Sequence, residues 1–329
     1  GCVTNRFLIG AGRIGIVHAI AISSEKNTIL HSVVDVNQPA AEDLAKKYSA
    51  QVLTIDEAFS NEDIDAYIIA SSTATHADLI EKCSEVGKPV FCEKPIDLSL
   101  KRAESCAELV EQSGIVCMLG FNRRFDPNMA NLKSKVDSNV IGSIQSLVIT
   151  SHDPAPPSMD YIQSSGGLFH DMMIHDFDMA CWILGDTPDS IYVSATANNE
   201  DIKKARDVDT ASVIMNMKKG AIVTILNGRQ ASFGYDQRIE AFGEKGMLQV
   251  KNELEDKVVL SNADGINQAK AKHFFLERYE KAYHNELLHF MESYHLGIKP
   301  SVDISDGVLA LKIAEAASKS LKSGFPENL

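Results

Sequence analysis

Three groups of residues carry types and spacings suited to chemistry. The first is Gly10-Ala11-Gly12-Arg13-Ile14-Gly15, a G-x-G-x-x-G run. It lies between a short apolar stretch at 6–9 and a helix-like segment at 13–23, and an acid, Asp35, closes the next apolar stretch. Glycine run and acid stand about 20 residues apart, the spacing a dinucleotide-binding turn requires. Gly10 permits the tight turn, Gly12 lets a pyrophosphate approach the backbone, and Gly15 lets helix and strand pack closely. The phosphates then meet the positive end of the helix, where Arg13 and Ile14 complete the cofactor-side turn. The alternative is a tight turn with no ligand and Asp35 as a simple cap. A carboxylate at Asp35 accepts hydrogen bonds from ribose hydroxyls and repels a 2′-phosphate, and Val36-Asn37-Gln38 offers no arginine to hold one. The expected cofactor is therefore NAD rather than NADP.

The second group, Glu93-Lys94-Pro95, follows an apolar strand candidate at 89–92. Ligands of open parallel sheets bind at the carboxyl ends of strands. A lysine there can hydrogen-bond a substrate hydroxyl and stabilise negative charge as its proton leaves. Alone, the tripeptide reads more readily as a solvated surface ion pair between Glu93 and Lys94. The third group is the stretch 166–180, which contains His170, Asp171, His175, Asp176 and Asp178. In a helix Asp171 and His175 lie at i and i+4 on one face. The carboxylate can then orient the imidazole and stabilise its protonated form, making His175 a general base near neutral pH. A buried polar network is the competing reading. A metal site on His170, Asp171, His175 or Asp178 has no supporting ligand spacing, and none is expected.

These residues need a scaffold. Over the first ~120 residues short apolar runs alternate with amphipathic helical segments, with strands expected at 6–9, 30–34, 52–53, 66–70, 89–92 and 115–120. Apolar strands between helices imply a parallel sheet covered on both faces, a doubly wound α/β fold of Rossmann type. After Asn122 the rhythm changes. Strand-like segments at 144–151, 190–197, 210–217, 221–226, 238–242 and 247–250 follow one another, two of them joined by the turn Lys218-Lys219-Gly220 and two by 243–246. That predicts an α+β domain with a largely antiparallel open sheet, closed by helices at 274–294 and 305–322. The expected domains are 1–122 for the cofactor and 123–329 for the substrate.

Composition excludes other classes. The 329 residues carry 32 Lys and Arg against 45 Asp and Glu, a net charge of −13 that repels a phosphate backbone, so no nucleic-acid partner is expected. No apolar run approaches the ~20 residues of a bilayer span, so no membrane partner is expected either. The stretch 7–22 carries Arg13, His18 and three glycines and is not read as a signal peptide. The six cysteines, Cys2, Cys83, Cys92, Cys106, Cys117 and Cys181, form no C-x-x-C pair. They are expected as buried free thiols in a reducing cytoplasm.

The glycine turn, Ser71-Ser72-Thr73-Ala74-Thr75-His76, Glu93-Lys94-Pro95, the run 120–126 and the stretch 166–178 together resemble the glucose-fructose oxidoreductase, inositol dehydrogenase and rhizopine-catabolism (Gfo/Idh/MocA) family over essentially the whole chain. Segments 171–178 and Tyr235-Asp236-Gln237-Arg238 are most similar to its inositol dehydrogenases. The resemblance implies oxidation of a ring secondary alcohol to a ketone with hydride passing to NAD, myo-inositol to scyllo-inosose being favoured, and often a homotetramer. It implies Lys94, Asp171 and His175 as the catalytic set and Ser71, Ser72, Thr73, His76, Glu93 and Lys94 as cofactor-side residues. Asn122 and Arg123 would line the junction between the domains, with Arg123 counted on the cofactor side, and Tyr235 would reach the substrate. The chain departs from many relatives in Ser151-His152-Asp153-Pro154-Ala155-Pro156-Pro157, with His152 where they carry arginine. His152 is expected near the substrate, which leaves the exact polyol open. Another sugar dehydrogenase, or an NAD-binding regulator without catalysis, is the alternative reading.

Overall fold

The computed structural model describes residues 4–329. Its first elements are β1 (Thr4–Ile9), α1 (Arg13–Ser24), β2 (Thr28–Val34), α2 (Gln38–Lys47), β3 (Gln51–Val52), α3 (Ile55–Ser60), β4 (Ala66–Ile69), α4 (His76–Val86), β5 (Val90–Cys92), α5 (Leu100–Ser113) and β6 (Cys117–Leu119). The helix ends follow local chemistry. Asn37, Thr54 and Ser99 accept backbone N–H groups at the starts of α2, α3 and α5, and Gly87 and Gly114 stop α4 and α5 in the left-handed conformation. All six strands pair in parallel, in the order β3-β2-β1-β4-β5-β6. The strand order reverses between β1 and β4, which is where a doubly wound sheet binds its ligand.

The chain continues with α6 (Pro127–Asp137), β7 (Ile144–His152), α7 (Met159–Ser164), α8 (Ile174–Leu184), β8 (Pro188–Thr196), α9 (Glu200–Lys204), β9 (Thr210–Met217), β10 (Ile222–Gly228), β11 (Asp236–Gly243) and β12 (Gly246–Val250). A hairpin of β13 (Val259–Asn262) and β14 (Gly265–Gln268) follows, then α10 (Phe275–Arg278), α11 (Glu280–Leu296), α12 (Ile304–Ser323) and β15 (Glu327–Asn328). The second sheet runs β12-β11-β7-β10-β9-β8-β15, and only β7 and β10 pair in parallel. Burial alternates strictly along β9, so one face is packed and the other is open. The expected α/β class and the mostly antiparallel second sheet are both present.

The division of the chain follows packing rather than sequence order. One unit comprises the chain up to Phe125 together with Lys281–Leu311, and the other comprises Asp126–Glu280 with Lys312–Leu329. The expected domains, 1–122 and 123–329, follow sequence order, and these units do not. The segment 281–311 belongs with the cofactor half because Leu287, Phe290 and Met291 of α11 are buried in one apolar cluster with Leu8, Ile68 and Phe91. Burial of such side chains is worth ~1.5–3 kcal/mol each. Cys83, Cys92, Cys106, Cys117 and Cys181 are free and buried, and Cys2 lies outside the described residues.

Candidate active site

In the first unit β1 ends at the glycine turn. Gly10 adopts φ +109°, a conformation costly for other residues, and a Cβ there would meet the Ala70 carbonyl at 2.5 Å. A Cβ on Gly15 would strike the Gly10 carbonyl oxygen, so α1 can approach the turn only through glycine. Gly12 differs, because a Cβ there would meet nothing within 4 Å. It is the N-cap of α1, no side chain caps it, and the first turn holds no acid. An uncapped N-terminus facing open space fits a pyrophosphate, whose oxygens can take the orphan N–H groups. Asp35 braces the turn. Its two carboxylate oxygens accept the backbone N–H groups of Ala11 at 2.6 Å and Asn37 at 2.8 Å. Each oxygen keeps a second lone pair, the capacity a ribose hydroxyl needs.

The neighbouring loops are tied by backbone contacts. Ser71 Oγ and Thr75 Oγ1 lie 2.7 Å apart, and Ser72 and Thr73 lead the same turn into α4. The His76 ring is buried between two carbonyl oxygens, Pro95 at 2.6 Å from Nδ1 and Ser71 at 2.9 Å from Nε2. Burial lowers its pKa despite those bonds. Both nitrogens are turned to the main chain, and the ring braces the loop before α4 against the loop after β5. Glu93 Oε1 bonds His18 Nε2 at 2.6 Å, and the partly exposed Lys94 follows it. Asn122 and Arg123 are buried in a short 3₁₀ turn after β6.

In the second unit the polar stretch begins at Gly166 and Gly167, both with positive φ, and winds through a π-helical turn at Phe169–Met173 before α8. The expected i, i+4 pair thus straddles a wider turn than a regular α-helix, a feature often found at functional sites. Asp171 Oδ1 accepts from Tyr161 Oη at 2.5 Å and Oδ2 from Arg229 Nη2 at 3.2 Å. The buried Arg229 guanidinium also stands 3.5 Å from Asp153 Oδ2. His175 lies half-buried at the start of α8. His170 is held below the usual imidazole pKa by burial. Asp176 is fully buried, and Ser151 Oγ and Asn227 Nδ2 donate to it at 2.7 and 2.8 Å. That part of the stretch is the polar network weighed against an acid-base role.

His152, at the end of β7, pairs through Nδ1 with Asp236 Oδ2 at 2.9 Å, while its side chain stays one-third exposed. Arg238 and Asn252 donate to the same carboxylate, each at 2.7 Å to Oδ1. Burial alone would raise the Asp236 carboxyl, yet these donors hold it well below the usual carboxylate range. Tyr235 is almost wholly buried and packs edge-on against Tyr279 at 5.8 Å. Sequence reasoning missed Tyr161, Arg229 and the anchoring role of Asp236. The one signal for Arg229 is a charged residue directly after the apolar strand β10.

A model of the oxidoreductase family with an NAD-binding Rossmann fold matches residues 5–121, and one of the GFO/IDH/MocA C-terminal domain matches residues 129–249. The chain belongs to the GFO/IDH/MocA oxidoreductase family. It is an NAD-dependent dehydrogenase. It is 42% identical to inositol 2-dehydrogenase of Rhizobium meliloti (strain 1021) over 321 residues, 97% of each chain. A solved myo-inositol dehydrogenase from Corynebacterium glutamicum superposes with a TM-score of 0.96 at 40% identity, over 99% of both chains. A scyllo-inositol dehydrogenase from Lactobacillus casei, solved with NAD(H) and scyllo-inositol bound, superposes with a TM-score of 0.92 at 28% identity over 99% of both chains. The family expected from the resemblance, and the NAD cofactor expected from the glycine turn and Asp35, are borne out. No helix among the described residues is long and apolar enough to cross a membrane.

Proposed function

We propose that the protein oxidises one secondary alcohol of a cyclic polyol to the ketone, with myo-inositol to scyllo-inosose as the reaction. The carrying observation is the near-full-length similarity, at 41–42% identity, to relatives named inositol 2-dehydrogenase and myo-inositol 2-dehydrogenase. When bound, NAD supplies the hydride acceptor. Gly10, Gly12, Arg13, Ile14 and Gly15 hold its phosphates, Asp35 its ribose, and Ser71, Ser72, Thr73, Glu93 and Arg123 frame the remainder. Lys94 polarises the substrate oxygen, and His175 takes the hydroxyl proton. Asp171, itself fixed by Tyr161 and Arg229, keeps the imidazole oriented and stabilises its charged form. His152, steered by Asp236, selects the polyol isomer from the substrate side, and Tyr235 supports the same region from within the core.

The protein acts in the cytoplasm, in keeping with its five buried free thiols, and assembles as a homotetramer through the open face of the second sheet. Tyr192, Ile214, Ile222, Phe242 and Met247 project from that sheet at 40–48% exposure, more apolar surface than a free sheet face ordinarily shows.

The test is NADH absorbance on mixing the protein and NAD with a panel of cyclic polyols and aldoses. Myo-inositol should give the highest kcat/KM, and a better aldose would overturn the substrate assignment. Lys94→Ala, His175→Ala and Asp171→Asn should each lower turnover by ~10²-fold or more while NAD still quenches protein fluorescence. Near-normal turnover in any of them removes that residue from the catalytic set.

A further inference from the structure

His18, Glu93 and Glu286 come from three separate elements of the first unit. His18 projects from α1, Glu93 follows β5, and Glu286 lies in α11. Their donor atoms, one imidazole nitrogen and one oxygen from each carboxylate, all lie within 4.8 Å of one another. The walls are aromatic: the His18 ring meets Phe91 at 5.1 Å and Tyr283 at 6.2 Å, both edge-on. Glu286 is fully buried, and among the described residues neither of its carboxylate oxygens has a hydrogen-bond partner. Glu93 keeps one edge at the surface, with its side chain 14% exposed.

Two acids and one imidazole in such surroundings require a positive counterpart. Glu286 is fully sealed from water and neither of its oxygens has a hydrogen-bond partner among the described residues, so an ionised carboxylate there is uncompensated by its neighbours. A divalent ion supplies both the charge and the ligation. With ligands at ~2.0–2.2 Å, two donors on one ion stand roughly 3–4 Å apart, inside the observed envelope. One neutral imidazole and two carboxylates also balance a 2+ charge. Nitrogen and oxygen donors without sulfur suit zinc or manganese. The ion would replace the His18–Glu93 hydrogen bond, and the exposed edge of Glu93 gives it an entry path.

We infer that His18, Glu93 and Glu286 form a divalent-metal site of the zinc or manganese class that pins α1, the end of β5 and α11 together. The site is structural and takes no part in hydride or proton transfer; it shares Glu93 with the proposed cofactor side, and its test reads metal binding rather than turnover.

The full chain should be assayed as purified for metal by plasma mass spectrometry. It should then be stripped with a chelator and titrated calorimetrically with Zn²⁺ and with Mn²⁺. The expected result is saturable one-to-one binding of at least one of the two ions, with a rise in Tm. Glu286→Gln, which keeps the shape and drops the charge, should weaken binding ~10–100-fold while the far-UV spectrum is unchanged. In infrared spectra the stripped parent should show a protonated carboxylic-acid band that metal removes. The inference is overturned if neither ion binds one-to-one, if Glu286→Gln binds like the parent, or if the acid band persists in metal-loaded protein. Should Glu286→Gln fail to fold, the metal content and infrared arms on the parent still decide.

Discussion

Asp236 and Glu286 are both sealed from solvent, yet their surroundings drive them in opposite directions. Around Asp236, in the second unit, His152, Arg238 and Asn252 all donate, and the carboxyl is held far below its ordinary range. Around Glu286, in the first unit, another acid stands close and neither carboxylate oxygen has a hydrogen-bond partner among the described residues, and the carboxyl is pushed far above it. Burial is common to the two sites, so it is the count of donors that sets the sign. Asp126 extends the first pattern. It receives Arg278 Nη1 at 2.6 Å and caps α6 by accepting the Asn128 and Met129 N–H groups, each at 3.1 Å.

The contrast can be broken by removing carboxylates one at a time. The largest effect belongs to Asp126→Ala, which strands a buried guanidinium and uncaps α6. A loss of about 3–5 kcal/mol in urea unfolding is expected. Asp236→Asn keeps the shape and surrenders the charge-assisted bonds, costing about 1–3 kcal/mol. It should also change the acid limb of the stability curve. A carboxyl depressed in the fold contributes stability that is present above its unfolded pKa, about 3.9, and is lost as pH falls toward its native value. Melting curves of Asp236→Asn should therefore be flatter than the parent's below about pH 4.

Glu286→Gln should cost the least. In metal-stripped protein at neutral pH it should leave the fold at least as stable as the parent. A carboxyl raised in the fold disfavours folding as pH climbs from its unfolded value, about 4.3, toward the native one. The parent should lose stability over that rise and the variant should not. A loss as large as that of Asp126→Ala would show that Glu286 has donors after all, and the contrast would fail.

The backbone part of the fold was legible because its requirements are local. Gly10 and Gly15 sit where a Cβ would collide with main chain, and each apolar strand of the first sheet is bounded by turn residues within a few positions. Side-chain partnerships were less legible. Asp126 and Arg278 meet across 152 positions, and neither residue type announces the other. Arg229 reaches Asp171 from just past the end of strand β10, so helical spacing found the acid and the imidazole but not what fixes the acid. The His76 ring is fixed by the carbonyls of Pro95 and Ser71, which only three-dimensional neighbours reveal. The hairpin β13–β14 was invisible because it is exposed along its whole length and carries no buried alternation.

The late return of residues 281–311 to the first unit governs how this enzyme can be dissected. A gene fragment ending at Phe125 would encode all six parallel strands but leave Phe91 and Met118 without Leu287, Phe290 and Met291 across from them. Such a fragment should be sticky and poor at holding dinucleotide. Splicing the α11 stretch back onto its end through a short linker is the way to an autonomous nucleotide-binding module.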